Sequence, residues 1–191
     1  YEVIVNPAAR NGQARQIGEE AERYLKEKQV DFVIRYTEYP GHATELARDA
    51  ANRGVETDGL RTAAGLVHTN TSLGIAPAGT GNDFIKTIGT PRNWKEALDF
   101  ILTHPARPVN TGEVNDRFFL NVCGGGFDVL TLTYALEAKK HVKGIWPYLY
   151  GVLRAIRTFK PFKMHIQVGD DLTLDKDCMI CTIANGRYIG G

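Results

Sequence analysis

The residues best suited to chemistry in this 191-residue chain lie in the segment LGIAPAGTGNDF, from Leu73 to Phe84. A short apolar run ends at a proline, and Gly79 and Gly81 then flank Thr80. Glycines allow a backbone to turn sharply and to approach a ligand closely. The Thr80 hydroxyl and the free amide groups at the start of the next helix are suited to phosphate. The segment therefore predicts an anion-binding loop between a strand and a helix.

Asn82 and Asp83 open the predicted helix and extend this loop. The carboxylate of Asp83 could meet the metal ion of a nucleotide or a reacting hydroxyl. The GTG tripeptide alone is also typical of an ordinary strand–turn–helix junction with an Asn or Asp cap. The full segment is more specific, since it resembles the PxGTxNDF signature of the diacylglycerol kinase catalytic domain. That family includes sphingosine, ceramide and bacterial lipid kinases.

The elements that must position this loop are predicted by apolar spacing in the first 54 residues. Residues 1–6 and 31–37 predict two strands, and helical spacing after each strand predicts two helices, the second ending at Gly54. Strands that alternate with helices in this way indicate an α/β fold with a parallel sheet. In such sheets ligands bind outside the carboxyl ends of the strands.

The loops at those carboxyl ends carry further matches to the same family. NPAARNG, Asn6 to Gly12, resembles the family's NPxxGxG, whose loop contacts ATP. Arg10 stands where the family often has glycine, which could hinder backbone approach or supply a guanidinium to phosphate. Thr37 and the following Gly-His-Ala also have counterparts in the family. His42 by itself is more typical of a polar residue at a helix start than of a catalytic one.

The resemblance implies a set of site residues. Asp83 would be catalytic, within the metal and acceptor network, and no metal ligand is assigned. The nucleotide would be held by Asn6, Pro7, Ala8, Ala9, Arg10, Thr37, Gly79, Thr80, Gly81 and Asn82.

The pattern breaks between Gly54 and Leu73, where no convincing strand is found and so long a connection is uncommon. The family has its third strand here, followed by GGDGT, a motif absent from this sequence. Asp58 resembles the residue before that strand, and Gly59-Leu60 resembles the end of the helix after GGDGT. We expect a strand, a loop and most of a helix to be missing between Asp58 and Gly59, with Cα atoms much farther apart than about 3.8 Å.

The missing segment is either deleted from the protein or not represented in this chain. We favour the second, because deletion of a central strand would expose its neighbours. We also expect residues 60–64 to form the end of a helix and residues 73–76 to lack one strand neighbour. A normal peptide bond from Asp58 to Gly59 would favour an inactive remnant instead.

Hairpin signals replace the alternating pattern beyond Pro108. Asn115-Asp116 and Gly169-Asp170-Asp171 predict the turns of two hairpins. We therefore expect an α/β, parallel-sheet, ATP-binding domain over residues 1–108. The start of a β-rich, β-sandwich-like second domain is expected over residues 109–191.

Two further motifs of the family lie in this second part. GGGFD, Gly124 to Asp128, resembles GxGFDA, and ANGRYIGG, Ala184 to Gly191, resembles NGRYxGGG. Asn110 stands where the family usually has an Asp near its metal. Asn cannot carry that negative charge, so a metal role at this position is in doubt. The family's general base is expected beyond Gly191.

Composition narrows the class of protein. The hydrophobic share of 43% and the charged share of 24% are ordinary for a globular protein. The net charge of +1 gives no support for binding nucleic acid.

No apolar run approaches the roughly 20 residues that span a bilayer, and no signal-peptide pattern opens the chain. Three cysteines without regular spacing argue against a disulfide scaffold. We expect a cytoplasmic protein with peripheral membrane contact.

One basic and aromatic cluster leaves two interpretations open. It consists of Lys139, Lys140, His141, Lys143, Trp146, Tyr148 and Tyr150. Such a cluster suits an anionic membrane surface. A solvated helix face followed by a core helix explains it equally well, and the core positions would be Ile145, Leu149, Val152, Leu153 and Ile156.

The family resemblance implies an ATP-dependent lipid kinase that uses Mg²⁺ and phosphorylates the hydroxyl of diacylglycerol or a related lipid. Its partner would be that lipid at a membrane surface, with no nucleic acid, and a homodimer remains open. One alternative is a soluble-metabolite kinase of the NAD kinase type. Such kinases share GGDGT with the diacylglycerol kinase family but lack the NDF continuation. Another is a non-catalytic nucleotide- or lipid-binding remnant.

Overall fold

The computed structural model of the chain describes residues 1–54, 57–58, 63–79, 82–140, 142 and 144–190. Its contacts divide the chain into two units. The first comprises Tyr1–Asn121 and Asn185–Gly191, and the second comprises Val122–Ala184. The division falls later in the chain than the predicted domain boundary near residue 108.

The first unit is built on a parallel sheet of four strands. These are β1 (Glu2–Val5), β2 (Val33–Tyr36), β3 (Thr57–Asp58) and β4 (Leu73–Gly74), in the spatial order β2-β1-β3-β4. The predicted parallel α/β architecture is confirmed. Because all four strands point the same way, the loops after β1, β2 and β4 leave the sheet at one edge.

Helices follow the strands as the sequence predicts. They are α1 (Gln13–Glu27), α2 (His42–Asn52), α3 (Ala63–Leu66), α4 (Asp83–Ile88) and α5 (Trp94–Thr103), with a 3-10 turn at Ala9–Gly12. The side chain of Asn93 caps α5 by accepting hydrogen bonds from the backbone N–H groups of Lys95 and Glu96. The hairpin of β5 (Gly112–Val114) and β6 (Arg117–Phe119) turns at the predicted Asn115-Asp116, both with positive φ.

Two apolar clusters hold the first unit together. The first joins α1, α5 and the sheet through Val3, Ala21, Leu25 and Leu98. The second packs α4 against the segment that follows β4, through Ile75, Phe84, Ile85 and Leu120. Because Phe84 and Ile85 are almost fully buried, this second cluster fixes the position of Asp83, the residue that precedes them.

The described part of the third strand lies at the predicted break. Thr57–Asp58 pairs with β1 and with β4, although the sequence showed no convincing strand between Gly54 and Leu73. The predicted separation of Asp58 from Gly59 involves Gly59, which lies outside the described residues, as do residues 60–62. Ala63–Leu66 forms one helical turn. β4 pairs with β3 and ends at Gly74.

The second unit combines strands with a pair of helices. The strands are β7 (Val122–Gly126), β8 (Phe162–Val168), β9 (Leu172–Cys178) and β10 (Ile180–Ala184), and the helices are α6 (Phe127–Ala138) and α7 (Trp146–Thr158). β7 pairs antiparallel with β10, and β8 pairs with β9 around the predicted turn at residues 169–171. Within the described residues, no helix has both the length and the apolar character needed to cross a bilayer.

The structure corrects one interpretation of α7. The helix forms, but four positions expected in a core helix are exposed, namely Ile145, Leu149, Leu153 and Ile156. The buried residues of α7 are small ones, Pro147, Gly151 and Ala155.

Candidate functional site

The loop after β1 is held in a compact turn by Asn6. The Asn6 side-chain oxygen accepts a hydrogen bond from the backbone N–H of Ala8 at 3.1 Å, and its carbonyl accepts one from Ala9 at 3.1 Å. Arg10 follows with φ of 53°, in the left-handed region that glycine adopts most easily. The family's glycine at this position thus matches the observed backbone. The Arg10 side chain is exposed and could reach an anion at this edge.

Thr37 lies beside the loop after β1. Its backbone N–H donates to the carbonyl of Val5 at 2.9 Å, so the ends of β1 and β2 are adjacent. His42 begins α2, and its Nδ1 atom accepts a hydrogen bond from the backbone N–H of Glu38 at 3.2 Å. Its ring stacks on Tyr39 with centroids 4.5 Å apart. These contacts give His42 a structural role in the turn.

The loop after β4 is closed by Asn82. Its side-chain amide donates to the carbonyl of Gly79 at 2.8 Å, bridging Thr80 and Gly81, which lie outside the described residues. Asn82 therefore does not cap α4 with its side chain. Gly79 is not in the left-handed region, and a Cβ there would meet nothing within 4 Å. The protein itself therefore does not require glycine at this position, and the open space is available to a ligand.

The helix that follows the phosphate loop is short. α4 has only six residues, too few for a strong helix dipole. Binding at this loop would depend on close backbone approach and on side chains rather than on α4 itself.

Asp83, the first residue of α4, lies at the centre of a small polar cluster. One carboxylate oxygen accepts a hydrogen bond from the backbone N–H of Gly190 at 2.8 Å, and the other lies 3.2 Å from the Lys86 ammonium. The two side chains are only 17% and 18% exposed. Charge pairs in such surroundings are screened less than pairs on the surface. The cluster therefore joins the NDF motif to the distant NGRYIG motif.

The NGRYIG motif, Asn185–Gly190, is here called the return segment. Asn121 anchors its start, because the carbonyl of Asn121 accepts hydrogen bonds from the backbone N–H groups of Asn185 and Gly186, both at 2.8 Å. The Asn185 side chain donates to the carbonyls of Asn110 and Leu120, both at 2.7 Å. A Cβ at Gly186 would collide with the Asn121 side-chain oxygen, so glycine is required there.

Two further contacts seat the return segment on α4. The Thr87 hydroxyl accepts a hydrogen bond from the backbone N–H of Arg187 at 3.1 Å. The Lys86 ammonium lies 5.7 Å from the centre of the Tyr188 ring, within the range of a cation–π contact. Lys86, Thr87 and Tyr188 were not predicted as site residues. They could have been predicted from the sequence, because the NDF and NGRYIG motifs both resemble the same family and its fold must bring them into contact.

The polar cluster around Asp83 offers few ligands for a metal ion. Asp83 offers one carboxylate, already engaged with Lys86 and Gly190. Across the described ranges, no three His, Cys, Asp or Glu side chains come together as a cation would need. The contribution of Asn110 to the cluster is a backbone carbonyl. These residues do not by themselves fit a magnesium ion.

Comparison with known proteins places these features in a family. Residues 1–114 match the model of the diacylglycerol kinase catalytic domain. The chain is 32% identical over 183 residues to the "Probable lipid kinase YegS-like" protein of Klebsiella pneumoniae (strain 342), covering 90% of this chain and 61% of that protein. It is 33% identical over 129 residues to a "Probable lipid kinase YegS-like" protein of Pseudomonas putida, covering 68% of this chain and 43% of that protein.

A solved structure agrees with this placement. The crystal structure of a diacylglycerol kinase from Bacillus anthracis str. Sterne matches 98% of this chain and 64% of that one, with a TM-score of 0.70 and 27% identity. The chain spans about three fifths of the length of the curated relatives that it matches. It belongs to the diacylglycerol kinase catalytic-domain family.

Proposed function

We propose that this protein is an ATP-dependent lipid kinase that phosphorylates the hydroxyl of diacylglycerol or a related lipid. The observation that carries the proposal is the contact of Asp83 with Gly190, which unites two motifs of the family in one cluster. The cluster lies beyond β4, at the edge of the sheet where α/β proteins bind their ligands. Family membership supports phosphoryl transfer as the class of reaction.

The chain's own residues would position the phosphates and hold charge. In phosphoryl transfer the protein acts mostly by positioning and by electrostatic stabilisation, with little covalent chemistry of its own. The open loop at Gly79 would let the backbone approach the phosphates, and Thr80 would add a hydroxyl. Asn6 and Thr37 would line the neighbouring part of the edge, with Arg10 as the exposed cation.

Asp83 would orient the lipid hydroxyl. A carboxylate accepts a hydrogen bond from a hydroxyl, and the contacts with Lys86 and Gly190 fix its orientation. Mg²⁺ would enter with ATP, as it commonly does in kinases, and would neutralise phosphate charge.

The test of the proposal is a phosphotransfer screen with labelled ATP. The acceptors would be diacylglycerol, sphingosine, ceramide and undecaprenol, each presented in mixed micelles, with NAD as a soluble comparison. Label in a lipid product supports the proposal and identifies the acceptor. Label in NAD alone would favour the soluble-metabolite kinase instead, and no label in any acceptor would contradict both.

The second candidate is a nucleotide- or lipid-binding remnant without activity. It is favoured by the absence of GGDGT from the sequence. The intact mass of the protein purified from its source distinguishes the two. A mass near 21.1 kDa, with nucleotide binding but no turnover, would support the remnant. A complete enzyme should be heavier.

A further inference from the structure

The turn between β2 and α2 carries an exposed aromatic ring, that of Tyr39. The Tyr39 side chain is 48% exposed, yet its contacts hold it in one orientation. Its ring lies flat on the ring of His42, with centroids 4.5 Å apart and planes inclined by only 2°. Its hydroxyl donates a hydrogen bond to the Glu45 carboxylate. A ring that is both fixed and exposed is a suitable surface for stacking another planar group.

The backbone of the turn holds the ring of His42 in place beneath that of Tyr39. The backbone N–H of His42 donates to the carbonyl of Tyr39 at 3.2 Å. The Nδ1 atom of His42 accepts a hydrogen bond from the backbone N–H of Glu38 at 3.2 Å. The two rings are therefore joined both by their stacking and by the turn itself. Because Tyr39 is already ordered, it would lose little conformational freedom when a ligand binds.

Tyr39 lies at the same edge of the sheet as the loops proposed to hold phosphate. Thr37, two residues before it, donates its backbone N–H to the carbonyl of Val5 at the end of β1. β2 and β4 are the first and last strands in the order β2-β1-β3-β4, so the loops after them are three strand spacings apart, about 14 Å. An extended nucleoside triphosphate is of that order of length. A nucleotide whose phosphates meet the loop at Gly79 could therefore place its base at Tyr39.

The distribution of charge favours this orientation of the nucleotide. Glu38 precedes Tyr39 and Glu45 is bonded to it, and both carboxylates are on exposed residues. Phosphate groups would be repelled there, whereas the exocyclic amino group of adenine can donate a hydrogen bond to a carboxylate. Arg10, an exposed cation, follows β1, which stands between β2 and β4. The turn at Tyr39 thus suits the base, and the loops after β1 and β4 suit the phosphates.

We propose that Tyr39 stacks on the adenine base of ATP. This role rests on the proposed function, which supplies ATP as the phosphoryl donor, and it deepens that function by naming the residue that recognises the base. Stacking on an aromatic side chain is available to every base. A purine presents a larger ring face than a pyrimidine, so the protein should prefer ATP to UTP.

The test compares binding of ATP, UTP and inorganic tripolyphosphate by calorimetric titration in the presence of Mg²⁺. Tripolyphosphate carries the phosphates without ribose or base. Tyr39→Ala should weaken ATP binding by at least about fivefold, should weaken UTP binding less, and should leave tripolyphosphate binding unchanged. Equal ATP affinity in wild type and Tyr39→Ala would overturn the proposal. So would equal losses for ATP and tripolyphosphate, because the substitution would then act by disturbing the phosphate loops.

Two control variants separate the ring from its other contacts. Tyr39→Phe loses the hydroxyl bonded to Glu45 but keeps the ring, so it should retain nearly all of the ATP affinity. Tyr148→Ala removes an exposed tyrosine of the second unit and should change the affinity for none of the three ligands. A loss in Tyr39→Phe as large as that in Tyr39→Ala would contradict stacking. If thermal unfolding shows that Tyr39→Ala does not fold, Tyr39→Leu takes its place and should bind ATP more weakly than Tyr39→Phe.

This test is separate from the phosphotransfer screen. ATP binding that depends on the Tyr39 ring, without label in any acceptor, would refute the kinase and leave the stacking role intact. Label in a lipid, together with unchanged ATP affinity in Tyr39→Ala, would do the reverse. A wild-type protein that binds no ATP would overturn both.

Discussion

The carboxylate of Asp83 accepts a hydrogen bond from the backbone N–H of Gly190 at 2.8 Å, although 107 positions separate the two residues in sequence. The contact makes α4 and the return segment a single structural element within the first unit. It also leaves one side of the carboxylate paired with Lys86. A side chain held on two sides is well oriented, as positioning in catalysis requires.

Asp83→Asn should lower turnover by roughly tenfold or more while ATP still binds. Asparagine keeps an oxygen that can accept the Gly190 hydrogen bond but loses the negative charge. Steady-state kinetics with separate ATP-binding measurements would check this.

An unchanged rate in Asp83→Asn would reduce Asp83 to an anchor of the return segment. Asp83→Ala is the comparison, because it removes the hydrogen bond as well. If only the alanine variant loses activity, together with stability, the role of Asp83 is structural.

Gly79→Val should abolish nucleotide binding without unfolding the protein. A Cβ at this position meets nothing within 4 Å, and the backbone is not left-handed, so the added side chain would obstruct only a ligand. Calorimetric titration with ATP, accompanied by thermal unfolding, would measure both effects. Gly79→Ala, with its single methyl group, should give an intermediate affinity. Full affinity in a folded valine variant would refute the phosphate loop.

Arg10→Gly should separate the effect of the Arg10 backbone strain on stability from the effect of its charge on ATP binding. The left-handed φ of Arg10 disfavours residues other than glycine by about 1 kcal/mol. Replacement by glycine should therefore relieve this strain, but the greater conformational freedom of glycine in the unfolded chain offsets part of the gain in stability. We expect stability to be unchanged or raised by up to about 1 kcal/mol, with weaker ATP binding if the guanidinium meets phosphate.

Arg10→Ala is the control for that change, since it removes the guanidinium and keeps the strain. Both variants should lose the same nucleotide affinity, and the glycine variant should be at least as stable as the alanine variant. Unaltered ATP affinity in both would exclude Arg10 from the site.

Asp99→Asn should lower the free energy of unfolding, and the size of this loss should depend on pH. The Tyr24 hydroxyl donates to the Asp99 carboxylate at 2.7 Å, and this bond, with the Lys28 ion pair, lowers the pKa of Asp99. A lowered pKa in the folded state means that the stabilisation is present above the unfolded pKa and is lost as pH falls through the folded pKa. Thermal unfolding should separate wild type from variant at neutral pH, and the two should converge in acid. A constant difference across pH would contradict this account.

The elements of the first unit could be predicted because their signals are local. The spacing of apolar residues indicated β1, α1, β2 and α2, and the turn at Asn115-Asp116 indicated a hairpin. The parallel sheet followed from the alternation of strands and helices. Each of these depends on residues that are close in sequence.

The rest depends on contacts that are distant in sequence or on how helices pack. Hydrogen bonds of Asp83, Thr87 and Asn121 set the position of the return segment against α4. No local sequence pattern predicts these long-range contacts. The exposure of the apolar side chains of α7 could not be predicted, because periodicity alone does not tell which side of a helix packs through small residues such as Gly151 and Ala155.

The proposed activity is transfer of the terminal phosphoryl group of ATP to a lipid hydroxyl. Its most direct test is the rate of label transfer from ATP to diacylglycerol in mixed micelles, measured in parallel for wild type and Asp83→Asn. The account predicts a labelled phospholipid product from wild type and a rate lower by about tenfold or more in the variant. Equal rates in the two proteins, or no labelled lipid from the wild type, would contradict it.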